Sequence, residues 1–150
     1  MTQPVLAIDE LQIVLSGESG ERIVVDELSL KIEQGEALGL VGESGSGKSL
    51  TASSVLGMLP PQARARGSVA VCGVPAINAN PAALRAIRGH AAAMVFQNPM
   101  VALNPYFTIG RQLVDIIRCR HGVGAAEARA AATIEPDRVR LPNAALQLAK

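Results

Sequence analysis

Aromatic side chains are nearly missing from this chain, which has no tryptophan, one tyrosine and two phenylalanines. All three, Phe96, Tyr106 and Phe107, fall in one short stretch. Single-stranded nucleic acid is held by bases stacked on aromatic faces distributed along a groove, so that class of function is excluded. Net charge is missing as well: 14 basic against 13 acidic residues leave +1, and no electrostatic footprint for a phosphate backbone remains. No apolar run reaches the roughly 20 residues that a membrane-spanning helix needs. The start, "MTQPVLAIDE", has no basic region ahead of an apolar one, so a secretory signal is not expected either. Cysteine is scarce, and Cys72 and Cys119 read as buried free thiols of a reducing compartment. Cys119 and His121 stand two apart without a second ligand cluster, the pattern of a helix end rather than a metal site.

What is present is enough for one ordinary domain, since 150 residues can bury about 70% of the surface that the unfolded chain exposes. Two apolar, partly alternating segments, 5–15 and 22–32, are expected to be half-buried strands joined by a hairpin turn over Ser16–Gly20. Residues 36–41, "EALGLV", form a shorter run, apolar on both sides, as a strand buried on both faces would be. Leu50, Val55 and Met58–Leu59 then repeat at helical spacing until "PPQ" at 60–62 stops the helix. Residues 67–73 read as a strand. Residues 80–89 read as a short helix capped by Asn80 with Pro81 at its first position, and 91–96 as another buried strand. From Thr108 the pattern is helical, with Ile109, Leu113, Ile116 and Ile117 on one face and Arg111, Asp115 and Arg118 on the other. The last thirty residues are alanine-rich and expected to be helical, interrupted at Pro136 and Pro142.

The tetrapeptide GESG occurs twice, and its surroundings separate the two copies. The second lies in "GESGSGKS", Gly42–Ser49, which fits G-x-x-x-x-G-K-[ST] with a buried strand expected to feed it and a helix to leave it. Glycines at 42, 45 and 47 let the backbone turn its N–H groups inward around phosphate oxygens, and the helix that follows presents its positive end to the same anion. Lys48 then reaches the β- and γ-phosphates, and the Ser49 hydroxyl holds Mg²⁺. The phosphate-binding set is Gly42, Glu43, Ser44, Gly45, Ser46, Gly47, Lys48, Ser49 and Leu50. The first copy, Gly17–Gly20, has no lysine two residues on and leads into a strand, so it reads as a turn.

"ALGLVGESGSGKS" together with "MVFQNPMVALNP" at 94–105 resembles the nucleotide-binding subunits of ABC transporters, in particular those of the dipeptide, oligopeptide and nickel importer group. The likeness extends through "TIGRQL" (108–113) and "VRLPNA" (139–144). It implies an α/β P-loop NTPase fold of ABC type, with an N-terminal antiparallel β-subdomain, a partial parallel core sheet and the start of a helical subdomain. On this reading the chain is an incomplete nucleotide-binding domain, divided as 1–97 and 98–150. The resemblance makes Gln97 the glutamine that senses the attacking water and Mg²⁺, a neutral ligand that can swing in and out. It makes ATP and Mg²⁺ the cofactors, with Ser49 and Gln97 on the metal. Implied partners are transmembrane permease subunits, a second ATP-binding subunit and, indirectly, a solute-binding protein. The implied location is the cytoplasmic face of the membrane, and the implied work is ATP-driven import of peptides or similar solutes.

Two features depart from the family pattern. The aromatic expected to stack on adenine is replaced by Leu15, which can pack on a base but offers no π-face. An LSGGQ-type signature, a strand ending in Asp-Glu and a switch histidine are expected only beyond Lys150. The 150 residues are therefore expected to bind Mg-ATP and to hydrolyse it barely or not at all, and an unpaired apolar sheet edge is expected. "LSGES" (15–19), Asp9–Glu10 and Asp26–Glu27 imitate the later motifs but precede the loop, and the carboxylates read as solvent-facing groups of edge strands. His90 and His121 lack a preceding apolar strand. A truncated, nonhydrolytic nucleotide-binding remnant or binding module and a small-molecule P-loop kinase are the alternative readings.

Overall fold

The computed structural model describes residues 3–18, 20–98 and 102–138. The chain divides between Ala93 and Met94 into two compact units. The first holds strands β1 (Leu6–Gly17) and β2 (Gly20–Ile32), helix α1 (Lys48–Val55), strands β3 (Ala63–Val71) and β4 (Val74–Pro75), and helix α2 (Pro81–Ala86) running into a one-turn π-helix, Ile87–Ala91. The second holds α3 (Ile109–His121) and α4 (Ala125–Arg138). The fold is thus mixed α/β with an antiparallel N-terminal sheet, in the order β2-β1-β3-β4. The segment 139–144 and Pro142 lie outside the described residues.

β1 and β2 form the expected hairpin, with Gly17 at the end of β1 paired to Gly20 at the start of β2. The strands do not alternate regularly. Ile8 and Leu11 are both buried although three positions apart, which a regular strand, with its period of two, would place on opposite faces. One extra residue in β1 restores the phase: Ile8 faces Leu30 and Leu11 faces Leu28, and on the other side Asp9 faces Ser68 and Gln12 faces Arg66. Glu10 takes a left-handed φ of 47° at this bulge, and its N–H is bonded by the Ser29 hydroxyl at 2.9 Å. β2 carries a counterpart between Leu28 and Val25, with Glu27 at φ 49°. The two Asp-Glu pairs are therefore bulge residues, exposed as expected. Asp9–Glu10, however, lies on an inner strand, not an edge, because β3 pairs along the far side of β1. Opposite this bulge only glycine fits at Gly67, where a β-carbon would run into the Glu10 carbonyl.

The core of this unit is the sheet face carrying Ile8, Leu11, Ile13, Val25, Val69 and Val71, joined by Leu56, Ala76 and Ile87. α1 ends at Val55, earlier than Pro60, because Gly57 adopts φ 59° and the chain turns there. β3 begins at Ala63, before the expected 67, since small and arginine residues alternate over 63–66 and leave Arg64 and Arg66 exposed. α2 has its expected start, with Asn80 Oδ1 accepting from Ala83 N–H at 2.9 Å and Pro81 in the first turn.

The structure corrects the expectation at 36–41 and 91–96, neither of which is a strand. Leu38, Leu40, Val41 and Val95 are exposed, Val41 at 91% and Val95 at 98%. A strand buried on both faces needs hydrogen-bonded neighbours and a covering layer on each side. Among the described residues neither segment has them, and the only sheet is the antiparallel one. The cysteines are also corrected: Cys72 sits exposed in the β3–β4 turn, and Cys119 is exposed on α3. Among the described residues no group of histidine, cysteine and carboxylate side chains could hold a metal ion.

In the second unit α3 starts at its Thr108 cap, whose hydroxyl accepts from Arg111 N–H at 3.2 Å, and ends at Gly122 with φ 65°. Gln112 fastens the preceding loop. Its Oε1 accepts from Asn104 N–H at 2.9 Å, and its Nε2 donates to the carbonyls of Asn104 and Phe107 at 3.0 and 2.9 Å. Of the anticipated apolar face, Ile109, Leu113 and Ile117 are half-buried while Ile116 is exposed. α4 continues through Pro136 to Arg138 instead of stopping. A proline removes one hydrogen bond from a helix, and the alanine-rich run before it keeps propensity high.

Leu11 has no exposed surface, so Leu11→Ala is expected to cost about 2–5 kcal/mol. Urea unfolding followed by circular dichroism measures this, and a loss below about 1 kcal/mol would contradict the described core.

Candidate functional site

The loop from Gly42 to Ser49 is drawn together by its own lysine. Lys48 Nζ donates to the carbonyls of Gly42 and Glu43 at 2.7 and 2.6 Å and to the Ser46 hydroxyl at 3.1 Å. All three ammonium protons are thereby directed into the loop. Ser46 N–H closes on the Glu43 carbonyl at 3.3 Å. A β-carbon on Gly42 would stand 2.8 Å from Ser46 Oγ, so the interior of the loop is reserved for small groups and the ammonium.

Gly47 joins this loop to the rest of the unit. It is buried, has φ 87° and caps α1 without a side chain. A β-carbon there would lie 2.6 Å from Val25 Cγ2 and 2.9 Å from the Val24 carbonyl. The backbone passes so close to β2 that no larger residue fits. From Gly47 the helix begins at once: its carbonyl accepts from Thr51 N–H at 2.8 Å and from the Thr51 hydroxyl at 3.1 Å. Ser54 donates to the Thr51 carbonyl at 2.7 Å, so both buried hydroxyls of α1 are bonded within the helix.

This is a cation seated among glycines at the N-terminal end of a helix, which is the construction of a phosphate-binding loop. The donor set suits a nucleoside triphosphate and its Mg²⁺: Lys48 for phosphate oxygens, and the exposed Ser49 hydroxyl, one residue into the helix, for the metal. The other expected site residues are placed separately. Leu15 lies on β1 opposite Arg22 and Ala63, two positions beyond Ile13, whose partner Val25 supports Gly47. Gln97 belongs to the second unit and is exposed in a bend. Arg88 escaped the sequence reading. It bonds the Leu56 and Gly57 carbonyls in the turn that follows α1, and only its place in the chain after a capped helix could have drawn attention to it.

The chain belongs to the ABC transporter family, whose model matches residues 25–147. It is 42% identical over 146 residues to a probable D,D-dipeptide transport ATP-binding protein of Escherichia coli, a match covering 96% of this chain and 44% of that protein. A putative peptide import ATP-binding protein of Brucella abortus is 43% identical, with 98% and 45% covered. The oligopeptide transport ATP-binding protein of Salmonella typhimurium is 35% identical, with 93% and 42% covered. The chain thus spans less than half the length of these curated relatives. Among the described residues no helix is long and apolar enough to cross a membrane.

Gly47→Ala is expected to lower the unfolding temperature and to disturb the start of α1, because the added methyl meets β2 at 2.6 Å. Thermal melts of this variant and of Gly45→Ala, which has open space at its β-carbon, test the point. The Gly47 variant should be the less stable of the two.

Proposed function

We propose that the chain is the phosphate-binding part of an ATP-binding subunit of an ABC importer, one that couples ATP binding and hydrolysis to uptake of peptides or similar small solutes. The observation that carries this reading is the seating of Lys48 Nζ within its own glycine loop at the start of α1. The peptide and dipeptide names of the relatives favour the solute class. The family match over 25–147 favours a transport ATPase over a small-molecule kinase.

In this reading the amides of Gly42–Ser49 and the first turn at Leu50 hold the phosphates, with Glu43, Ser44 and Ser46 contributing backbone. Lys48 neutralises charge on the β- and γ-phosphates, and Leu15 packs against the base. Ser49 and Gln97 hold Mg²⁺, which when bound supplies charge stabilisation to the transferring phosphoryl group, and Gln97 orients the water. Phosphoryl transfer of this type depends on positioning and charge rather than on covalent help from the protein. The subunit works at the cytoplasmic face of the membrane against permease subunits, paired with a second ATP-binding subunit, and a solute-binding protein is its partner only indirectly. The alternative of a nonhydrolytic nucleotide-binding module makes the same contacts without turnover.

Titration calorimetry with Mg-ATP is the test. Lys48→Ala is expected to weaken binding by about ten- to a hundredfold, as loss of a charged hydrogen-bonding partner does. Unchanged affinity would refute the reading. The 150 residues by themselves are expected to show turnover no greater than background, and turnover that vanishes in Lys48→Ala would overturn that part.

Leu15→Tyr supplies the missing π-face and should tighten ATP about tenfold, given roughly 1–3 kcal/mol per stacked base. No gain in ATP affinity would remove Leu15 from the base site.

A further inference from the structure

Helix α1 has the phosphate loop at one end and a second attachment at the other. Its last carbonyls, like those of any helix, lack partners within the helix. Those of Ser53 and Ser54 accept from backbone N–H groups of the closing turn, and Arg88 bonds the two carbonyls just past the helix: Nε donates to the Leu56 carbonyl at 2.8 Å and Nη2 to the Gly57 carbonyl at 2.7 Å. A planar guanidinium can meet two successive carbonyls at once, and it places positive charge at the negative end of the helix dipole. The approach is close on the neighbouring side too. A β-carbon on Gly57 would meet Leu84 Cδ2 of α2 at 2.5 Å and the Ala76 carbonyl at 3.2 Å.

Arg88 projects from the π-helix Ile87–Ala91, whose wide turn is closed by Ala92 N–H on the Ile87 carbonyl at 2.9 Å. Such single turns are uncommon and concentrate at functional sites. Ile87, immediately before, has no exposed surface. The π-turn is thus anchored by a buried side chain and by the guanidinium, and nine residues after Arg88 the chain reaches Gln97.

We propose that Arg88 is a positioning residue that links occupancy of the phosphate loop to the order of the π-turn leading toward Gln97. The inference rests on the nucleotide-binding reading above. A ligand that steadies α1 from its loop end also steadies the Leu56 and Gly57 carbonyls, and through them the guanidinium. Linkage is reciprocal, so a fixed π-turn favours a filled loop.

Hydrogen exchange over 48–57 and 87–92, with and without Mg-ATP, tests this in the parent protein, Arg88→Ala, Arg88→Lys and Val71→Ala. Val71 is a buried β3 residue remote in sequence from the loop, and its variant controls for general loss of stability. In the parent, nucleotide is expected to slow exchange in both segments. In Arg88→Ala at saturating nucleotide only 48–57 should be slowed, with Kd raised about tenfold. Arg88→Lys, able to restore one bond, should recover part of both effects, and Val71→Ala should keep both. Protection at 87–92 that survives in Arg88→Ala, or that is lost equally in Val71→Ala, would overturn the proposal. So would parent protection confined to 48–57, a result that leaves nucleotide binding intact. A parent protein that neither binds Mg-ATP nor shows protection would overturn the nucleotide reading together with this one. Should Arg88→Ala fail to fold, the parent and Arg88→Lys still decide the matter.

Discussion

The close passage of Gly47 over Val24 and Val25 is the contact on which the site rests. A loop built largely of glycine and serine cannot set its own height, because glycine-rich backbone has little stiffness. Here a β-strand sets it. The antiparallel sheet serves the loop sterically: β2 fixes where the loop leaves the body of the unit and where α1 starts. The requirement is steric on both sides: a left-handed φ of 87° and no room for a methyl group.

Helix α1 has only eight residues, too few to be stable in isolation. It persists through what it packs on and through its attachments, Gly47 at one end and the Arg88 guanidinium at the other. The phosphate loop is likewise formed in advance, with Lys48 tying its two limbs together. Groups already gathered in this way lose less freedom when a ligand arrives. On the proposed reading, the ammonium would exchange part of its bonding with carbonyls for bonding with anionic oxygens, a substitution that keeps its charge matched.

Much of this was legible in the sequence, and what was not has identifiable causes. The tight glycine–lysine loop ahead of α1, the first hairpin, the Asn80–Pro81 helix start and the onset of helix at Thr108 were all carried by local chemistry and could be read residue by residue. The bulges could not, since Asp-Glu inserted in an apolar run looks like a break in alternation rather than a means of keeping Leu11 and Ile8 on one face. The end of α1 turned on whether Gly57 would adopt a positive φ, which depends on its neighbours Leu84 and Ala76. Residues 36–41 and 91–96 have the composition of core strands, but pairing is a property of two segments, and composition reports only one. Arg88 is one of several arginines in the sequence, and its distinction is the pair of carbonyls it meets 31 and 32 positions away.

The paired bulges also limit how this sheet can change in length. Glu10 adds one residue to β1, and a counterpart near Glu27 adds one to β2, so the register that slips at the first is recovered at the second. A deletion at either place alone would turn the remainder of that strand over and present Ile8 or Leu28 to solvent. Removing both would shorten the two strands together and leave the hairpin paired, although Gly67 and Ser29 would lose the backbone they now accommodate. The two Asp-Glu dipeptides thus mark a matched pair of bulges, and a change of length in one strand here calls for a matching change in the other.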